Sequence, residues 1–361
     1  QTIEIGENAG TVTVEGKGNS GICAIKGLIV NGGTVTATST GTSGRGVWVL
    51  SSDANVTIGE KVKSFIATGS GEYSAIDGKV TNAIAGTGWT NVAGTEGKED
   101  IAVSTGGRSL SSYKKVQFPA PEPVASVTPY NGTTTEYTDF TEAVTAWNTA
   151  TQNKKGATLK LLADVETSNS VKPTASCSPD YPMILDLNGY GIRYTGEAKA
   201  SVIMIDENKC LKMEDSTPSS KHYITLDSNG RGVAVSDTTS EGAIEVTGGY
   251  ITGGLGKNGY GGGIFVMSSF IMEGGPIVGN TASYGGGVRI TQTGSTFTMT
   301  GGTITNNKAS TEGGGVHFGN SCVFNLSGGA IITGNKKGEV ENNVQLPSGN
   351  KINVTGALNG N

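Results

Sequence analysis

The chain has 361 residues, including 58 glycines and 10 prolines, and a formal net charge of −5 at pH 7. That length leaves room for two domains, and glycine far above the usual level of about 7% without a G-X-Y period excludes collagen and suits a turn-dense β protein. The two charge signs are interspersed, so there is no basic footprint for nucleic acid, and no apolar run approaches the roughly 18 residues that span a membrane.

Residues 1–118 carry short alternating runs, the pattern of half-buried strands. Gly21-Ile22-Cys23-Ala24, Gly46-Val47-Trp48-Val49 and Ala75-Ile76-Asp77 align at spacings of 25 and 29. Between them stand Leu28 to Val35 and Val56 to Gly59, so this part reads as a first β-helical domain. Its GI, short strand and NGGTVTAT order resembles the carbohydrate-binding β-helix domains of bacterial cell-surface proteins. The segment from Gly86 to Phe118 breaks the period and is expected to close that domain. No signal peptide is visible, and Gln1 runs directly into a strand-like segment, which fits a targeting segment removed upstream. Cys23, Cys177, Cys210 and Cys322 show no C-x-x-C spacing, which argues against zinc. Their even count is compatible with disulfides in a secreted protein, but a β-helix of this length needs no staples, which favours inert thiols.

Pro119-Ala120-Pro121-Glu122-Pro123 removes backbone donors at alternate positions, so residues 119–130 are expected to form a stiff linker. A second domain then spans residues 131–361. Asp139 with Glu142 three residues on makes a capping-box-like start. Phe140, Ala143, Val144 and Trp147 follow on one face, predicting a helix over 138–150 that covers the open first coil. Further strands are predicted at Thr158 to Leu162, Met183 to Leu187, Val202 to Ile205, Tyr223 to Leu226 and Gly232 to Val235. Asn188-Gly189 marks a tight turn, and Asp186 before it reads as structural.

From Glu241 to Lys336 one unit is written four times. A Gly-Gly-x-Ile motif starts at Gly248, Gly274, Gly301 and Gly328, at steps of 26, 27 and 27. Apolar-x-apolar triplets precede each copy, beginning at Ile244, Phe270, Phe297 and Phe324. Triple glycines at Gly261, Gly285 and Gly313 open further short runs. A fixed period of this size means stacked supersecondary units. Three strands fit in each, so the chain is expected to be an all-β, right-handed parallel β-helix. Inward ladders are predicted for Phe270, Phe297 and Phe324, for Met272, Met299 and Leu326, and for Ile251, Ile277, Ile304 and Ile331. Asn280, Asn307 and Asn335 are predicted to stack at a corner.

The order GG-x-I, Asn, GGGV and FTMTGG resembles the polymorphic outer-membrane-type repeats of large bacterial surface proteins, within the pectate-lyase-like β-helix superfamily. That resemblance implies an extracellular or cell-surface location in a bacterium and adhesion rather than catalysis.

Enzymes on this fold need specific groups, and few are present. There is no Asp-Asp pair, no Gly-His-Gly and no Arg-x-Lys for a hydrolase. No arginine adjoins a dense acidic cluster, so a calcium site of the lyase kind has no supporting motif, and no cofactor is expected. Stacking the triple-glycine strands gives an outward column of Ala234, Phe265, Arg289, His317 and Gln345. Arg289 and His317 there could hold an anionic sugar, or serve a polysaccharide lyase as base and electrophile. Tyr260 and Tyr284, with Glu312 in the next turn, form a second column that could face a sugar ring. Trp48 should point outward between Val47 and Val49, while Trp147 reads as core and His222 as a lone loop-edge residue. The reading is therefore a non-catalytic surface β-helix that binds a polysaccharide or host glycan through Trp48, Tyr260, Phe265, Tyr284, Arg289 and His317. A lyase acting on an acidic polysaccharide and a passive stalk are the alternatives.

Overall fold

The computed structural model describes all residues except 1, 18, 41, 52–54, 82, 92, 95–96, 103–107, 151–153, 176–177, 179, 237–241, 257–260 and 360–361. The chain is 53% strand and 3% helix and forms about 12 turns of β-solenoid. It divides into two compact units, Gln1–Glu122 and Pro123–Asn361.

The first unit is organised on two long parallel strands, Gly27–Thr40 and Asn55–Thr68. Leu28 pairs with Val56 and Val30 with Ile58; beyond two register shifts, Val35 pairs with Phe65. All six are fully buried. The shifts fall at Gly32-Gly33, where the strand turns a corner with Gly33 at φ 77°. A Cβ on Gly32 would lie 2.2 Å from the Glu7 carbonyl oxygen, so no larger residue fits that approach. A second parallel ladder joins Ile22–Ala24, Val47–Val49 and Ile76–Asp77. Past Gly86 the coil gives way to antiparallel pairing. Lys115–Phe118 lies between Gly86–Trp89 and the end of Asn55–Thr68, and Phe118 packs on Phe65. Trp89 is buried in this closing region.

The second unit begins earlier than proline content implies. Ala125–Pro129, read above as linker, is a strand paired antiparallel with Thr135–Tyr137 and Ala157–Leu161. The prolines at 119, 121 and 123 stop short of it and Pro129 stands only at its end, so the donors of Ala125 to Thr128 remain available to the sheet. The helix runs Phe140–Thr149, with Asp139 accepting from the Glu142 amide at 2.9 Å. Its Trp147 is fully buried and donates Nε1–H to the Ala157 carbonyl at 2.8 Å, which makes it core.

Parallel strands then stack coil on coil. The main ladder runs through Ala157–Leu161, Met183–Asp186, Cys210–Glu214, Ser269–Met272, Thr296–Met299, Val323–Gly328 and Ile352–Leu358. Phe270, Phe297 and Phe324 pair in register, with ring centroids 5.1 and 5.2 Å apart and nearly parallel planes. The alternating positions Ile271, Thr298 and Asn325 are half-exposed, as the pleat requires. Each regular coil has four short strands rather than three, because a further strand such as Thr281–Tyr284 follows the asparagine corner.

At that corner the amides form one continuous chain. Asn280 Nδ2 donates to Asn307 Oδ1, Asn307 Nδ2 to Asn335 Oδ1, and Asn335 Nδ2 to Asn343 Oδ1, at 3.0, 2.9 and 3.0 Å. Each also reaches a carbonyl of the preceding coil, at Ile251, Ile277 and Ile304 respectively.

Two expectations for this unit are corrected. The isoleucine ladder continues from Ile304 to Ile332, not Ile331, which is 41% exposed. The last copy has one extra residue before its asparagine, and the buried amide chain sets the register from Asn335 backwards. Second, Tyr223 to Leu226, Gly232 to Val235 and Ile244 to Val246 are not coil strands. Lys221–Leu226, Gly232–Ser236 and Ile244–Thr247 form a separate antiparallel sheet. Its apolar side, with Ile224 and Val246, packs against Tyr250 and Val278. The coil itself passes directly from Leu211 to Phe270.

The Asn-Gly turn is present, with Asn188 and Gly189 both at positive φ. Asp186 anchors it, accepting from the amides of Asn188 and Ser216, from Ser216 Oγ and from Lys160 Nζ. Burial pushes this carboxyl up, but the Ser216 and Lys160 contacts outweigh burial and hold its pKa below the usual value. A depressed folded pKa stabilises above the unfolded value, and that contribution is lost as pH falls through the folded pKa. Asp186→Asn is therefore expected to flatten the acid limb of a stability-against-pH curve measured by urea unfolding; an unchanged limb counts against this role.

Candidate functional site

In the first unit Cys23, Trp48 and Asp77 occupy one outward column, since their neighbours Ile22, Val47 and Ile76 point into the core. Trp48 is 37% exposed, as is Tyr73. Arg45 lies between the two rings, its Cζ 5.1 Å from the Trp48 centroid and 5.0 Å from that of Tyr73. Asp77 Oδ2 fixes the guanidinium through a 2.6 Å ion pair with Nε. Cys23, Arg45, Trp48 and Tyr73 line an open cleft of about 300 Å³, whose remaining wall includes Asn19, Ser20 and Ser43. Aromatic faces beside immobilised donors and hydroxyls can take the C–H face of a sugar while binding its hydroxyls. Sequence reading singled out Trp48 but missed Arg45, Tyr73 and Asp77. Asp77 was recoverable from the 25- and 29-residue alignment; Tyr73 lies between coils, where no period indicates direction.

In the second unit the triple-glycine column reads Met204, Phe265, Arg289, His317 and Gln345. Met204 stands where Ala234 was expected, because Ala234 belongs to the antiparallel sheet. Phe265 has the outward parity but is only 5% exposed, so it offers no surface to a ligand and is withdrawn as a contact residue. Tyr260 lies outside the described residues. Tyr284 pairs with Glu312 across coils as expected.

Tyr284, Arg289, His317 and Glu312 do converge. The Arg289 Cζ sits 4.8 Å over the Tyr284 ring, and the His317 ring meets that tyrosine edge-on at 5.1 Å. Tyr284 is thus engaged on the protein itself and half-buried, not a flat platform. Glu312 Oε2 is 3.6 Å from His317 Nε2. Burial lowers the pKa of Arg289. His317 is held below the ordinary histidine value by burial and then by the Arg289 charge, with Glu312 opposing in part. Among the described residues no three His, Cys, Asp or Glu side chains are grouped to hold a metal ion.

His222, read as a loop-edge residue, is 4% exposed within the antiparallel sheet. Its Nε2 is 2.8 Å from the Gly189 carbonyl and its ring 4.9 Å from Tyr250. A third aromatic cluster had no sequence signal. Lys155 Nζ lies 4.2 Å from the Tyr130 ring and 4.8 Å from Tyr181, the latter 43% exposed, beside a cleft of about 310 Å³.

Fold and site together define a β-solenoid with an exposed aromatic cleft. Comparison with known protein families, curated proteins and solved structures finds no match in any of the three.

Proposed function

We propose that this chain is a non-catalytic, extracellular bacterial surface protein that binds a glycan through the Trp48 cleft of its first unit. The observation that carries this reading is the Arg45 guanidinium held between two exposed aromatic rings by Asp77. A cation fixed in that way has lost its side-chain freedom before any ligand arrives, which lowers the cost of binding. Support for surface display comes from the C-terminal repeats, whose Gly-Gly-x-Ile and triple-glycine order resembles polymorphic outer-membrane-type repeats. Ligands would be polysaccharides or host-surface glycans.

A glycan array followed by calorimetry on the best hit tests this. Trp48→Ala is expected to weaken binding about thirtyfold, the effect of removing an aromatic anchor worth on the order of 2 kcal/mol. Stability should change by less than about 1 kcal/mol, because the ring stands outside the core. Full affinity in Trp48→Ala would move the glycan away from this cleft, and no bound glycan at all would leave the chain as a stalk.

A further inference from the structure

We propose that Arg289 and His317 form a binding site for an oxyanion, the carboxylate or sulfate ester of a ligand, on the outer side of the triple-glycine strand ladder. Arg289 Nε and Nη1 are buried without a hydrogen-bond acceptor, and so is His317 Nδ1. Buried donors are almost always paired, so each unpaired one marks the place of a missing acceptor. The nearby side chains do not supply the missing acceptor. Tyr284 offers Arg289 only its ring face, and Glu312 is engaged with the imidazole. Gln345, next on the ladder, turns its amide to the Leu346 carbonyl. A guanidinium N–H is matched by an anionic oxygen, with which it makes a charge-assisted hydrogen bond. A cleft of about 270 Å³, lined by Glu312, His317, Asn320, Gln345 and Pro347, opens beside His317.

The site also carries its own pH dependence. Arg289, Glu312 and Tyr284 are the charged or titratable groups that face His317 among the described residues. Burial and the Arg289 charge disfavour the imidazolium. An oxyanion on Arg289 cancels that charge, so it raises the proton affinity of His317. Linkage requires the converse, tighter anion binding as pH falls through the His317 pKa. None of this depends on what Trp48 binds.

Proton NMR of the intact chain reads the site directly, because there are only two histidines and the other, His222, lies in the separate antiparallel sheet. Imidazole titrations would be run in chloride, galacturonate and sulfate at matched ionic strength. The expected result is a His317 pKa raised by galacturonate, by sulfate or by both, relative to chloride, with His222 unmoved. Galacturonate alone assigns a carboxylate ligand, sulfate alone a sulfate ester. Affinity should rise about tenfold for each unit of that shift. Arg289→Gln should abolish the anion effect and bring the His317 pKa up in chloride, with the His222 signals reporting an intact fold. If that variant does not fold, the wild-type comparison with chloride decides alone. Identical His317 titrations in all three salts, equal movement of both histidines, or an anion effect that survives in Arg289→Gln overturns the proposal.

Discussion

Replacing Phe297 with alanine is expected to destabilise the second unit by about 3–5 kcal/mol, the usual cost of deleting a buried aromatic that cannot be refilled. Its ring is fully buried between Phe270 and Phe324, at 5.1 and 5.2 Å with planes within 7° and 4° of parallel. The stacked strands hold the coil spacing fixed, so the neighbours cannot close over the cavity. Thr298→Ala, one residue along and outward, should cost well under about 1 kcal/mol. Urea midpoints of the two variants separate these outcomes. A large effect at Thr298 with none at Phe297 would reverse the strand parity and turn Arg289 and His317 inward.

Asn307 should be nearly as sensitive, although it is polar. Its amide donates to Asn335 Oδ1 and to the carbonyls of Ile277 and Thr305, and accepts from Asn280 N and Nδ2. Alanine removes all of these at a site 1% exposed. Several groups lose their partner at roughly 1–3 kcal/mol each, so a loss of at least about 4 kcal/mol is expected. Asn307→Asp should be worse still at neutral pH. The carboxylate has no N–H for Asn335 Oδ1 or Ile277 O, and burial raises its pKa above the unfolded value. Stability of that variant should therefore recover as pH falls through the raised folded pKa. A variant insensitive to pH would mean that the corner is open to water.

The elements legible in the sequence are those in which period and chemistry agree. Phe270, Phe297 and Phe324 recur at one spacing with alternating neighbours, so coil, register and inward face followed together. Asn280, Asn307 and Asn335 recur with them, and Asp139 with Glu142 marks a helix start in the chemistry of its cap. Where period and chemistry part, chemistry prevails. Counting from Gly-Gly placed Ile331 inside, whereas the amide chain draws Ile332 there instead. Alternation alone does not separate parallel from antiparallel strands, so Ile244 to Val246 looked like a coil strand although it pairs with Lys221–Leu226. Parity likewise gives the direction of Phe265 but not what covers it. The Trp48 cleft was half-legible for the same reason: Trp48 sits on a periodic strand, whereas Arg45 and Tyr73 sit on the connections.

Tryptophan fluorescence tests the proposed glycan site most directly. Of the three tryptophans, Trp89 is 6% and Trp147 0% exposed, against 37% for Trp48. A neutral quencher should therefore reach chiefly Trp48 in the free protein, and a bound saccharide should shield it, with the accessible component missing from Trp48→Phe. Saccharide binding that leaves quenching of Trp48 unchanged would contradict the account.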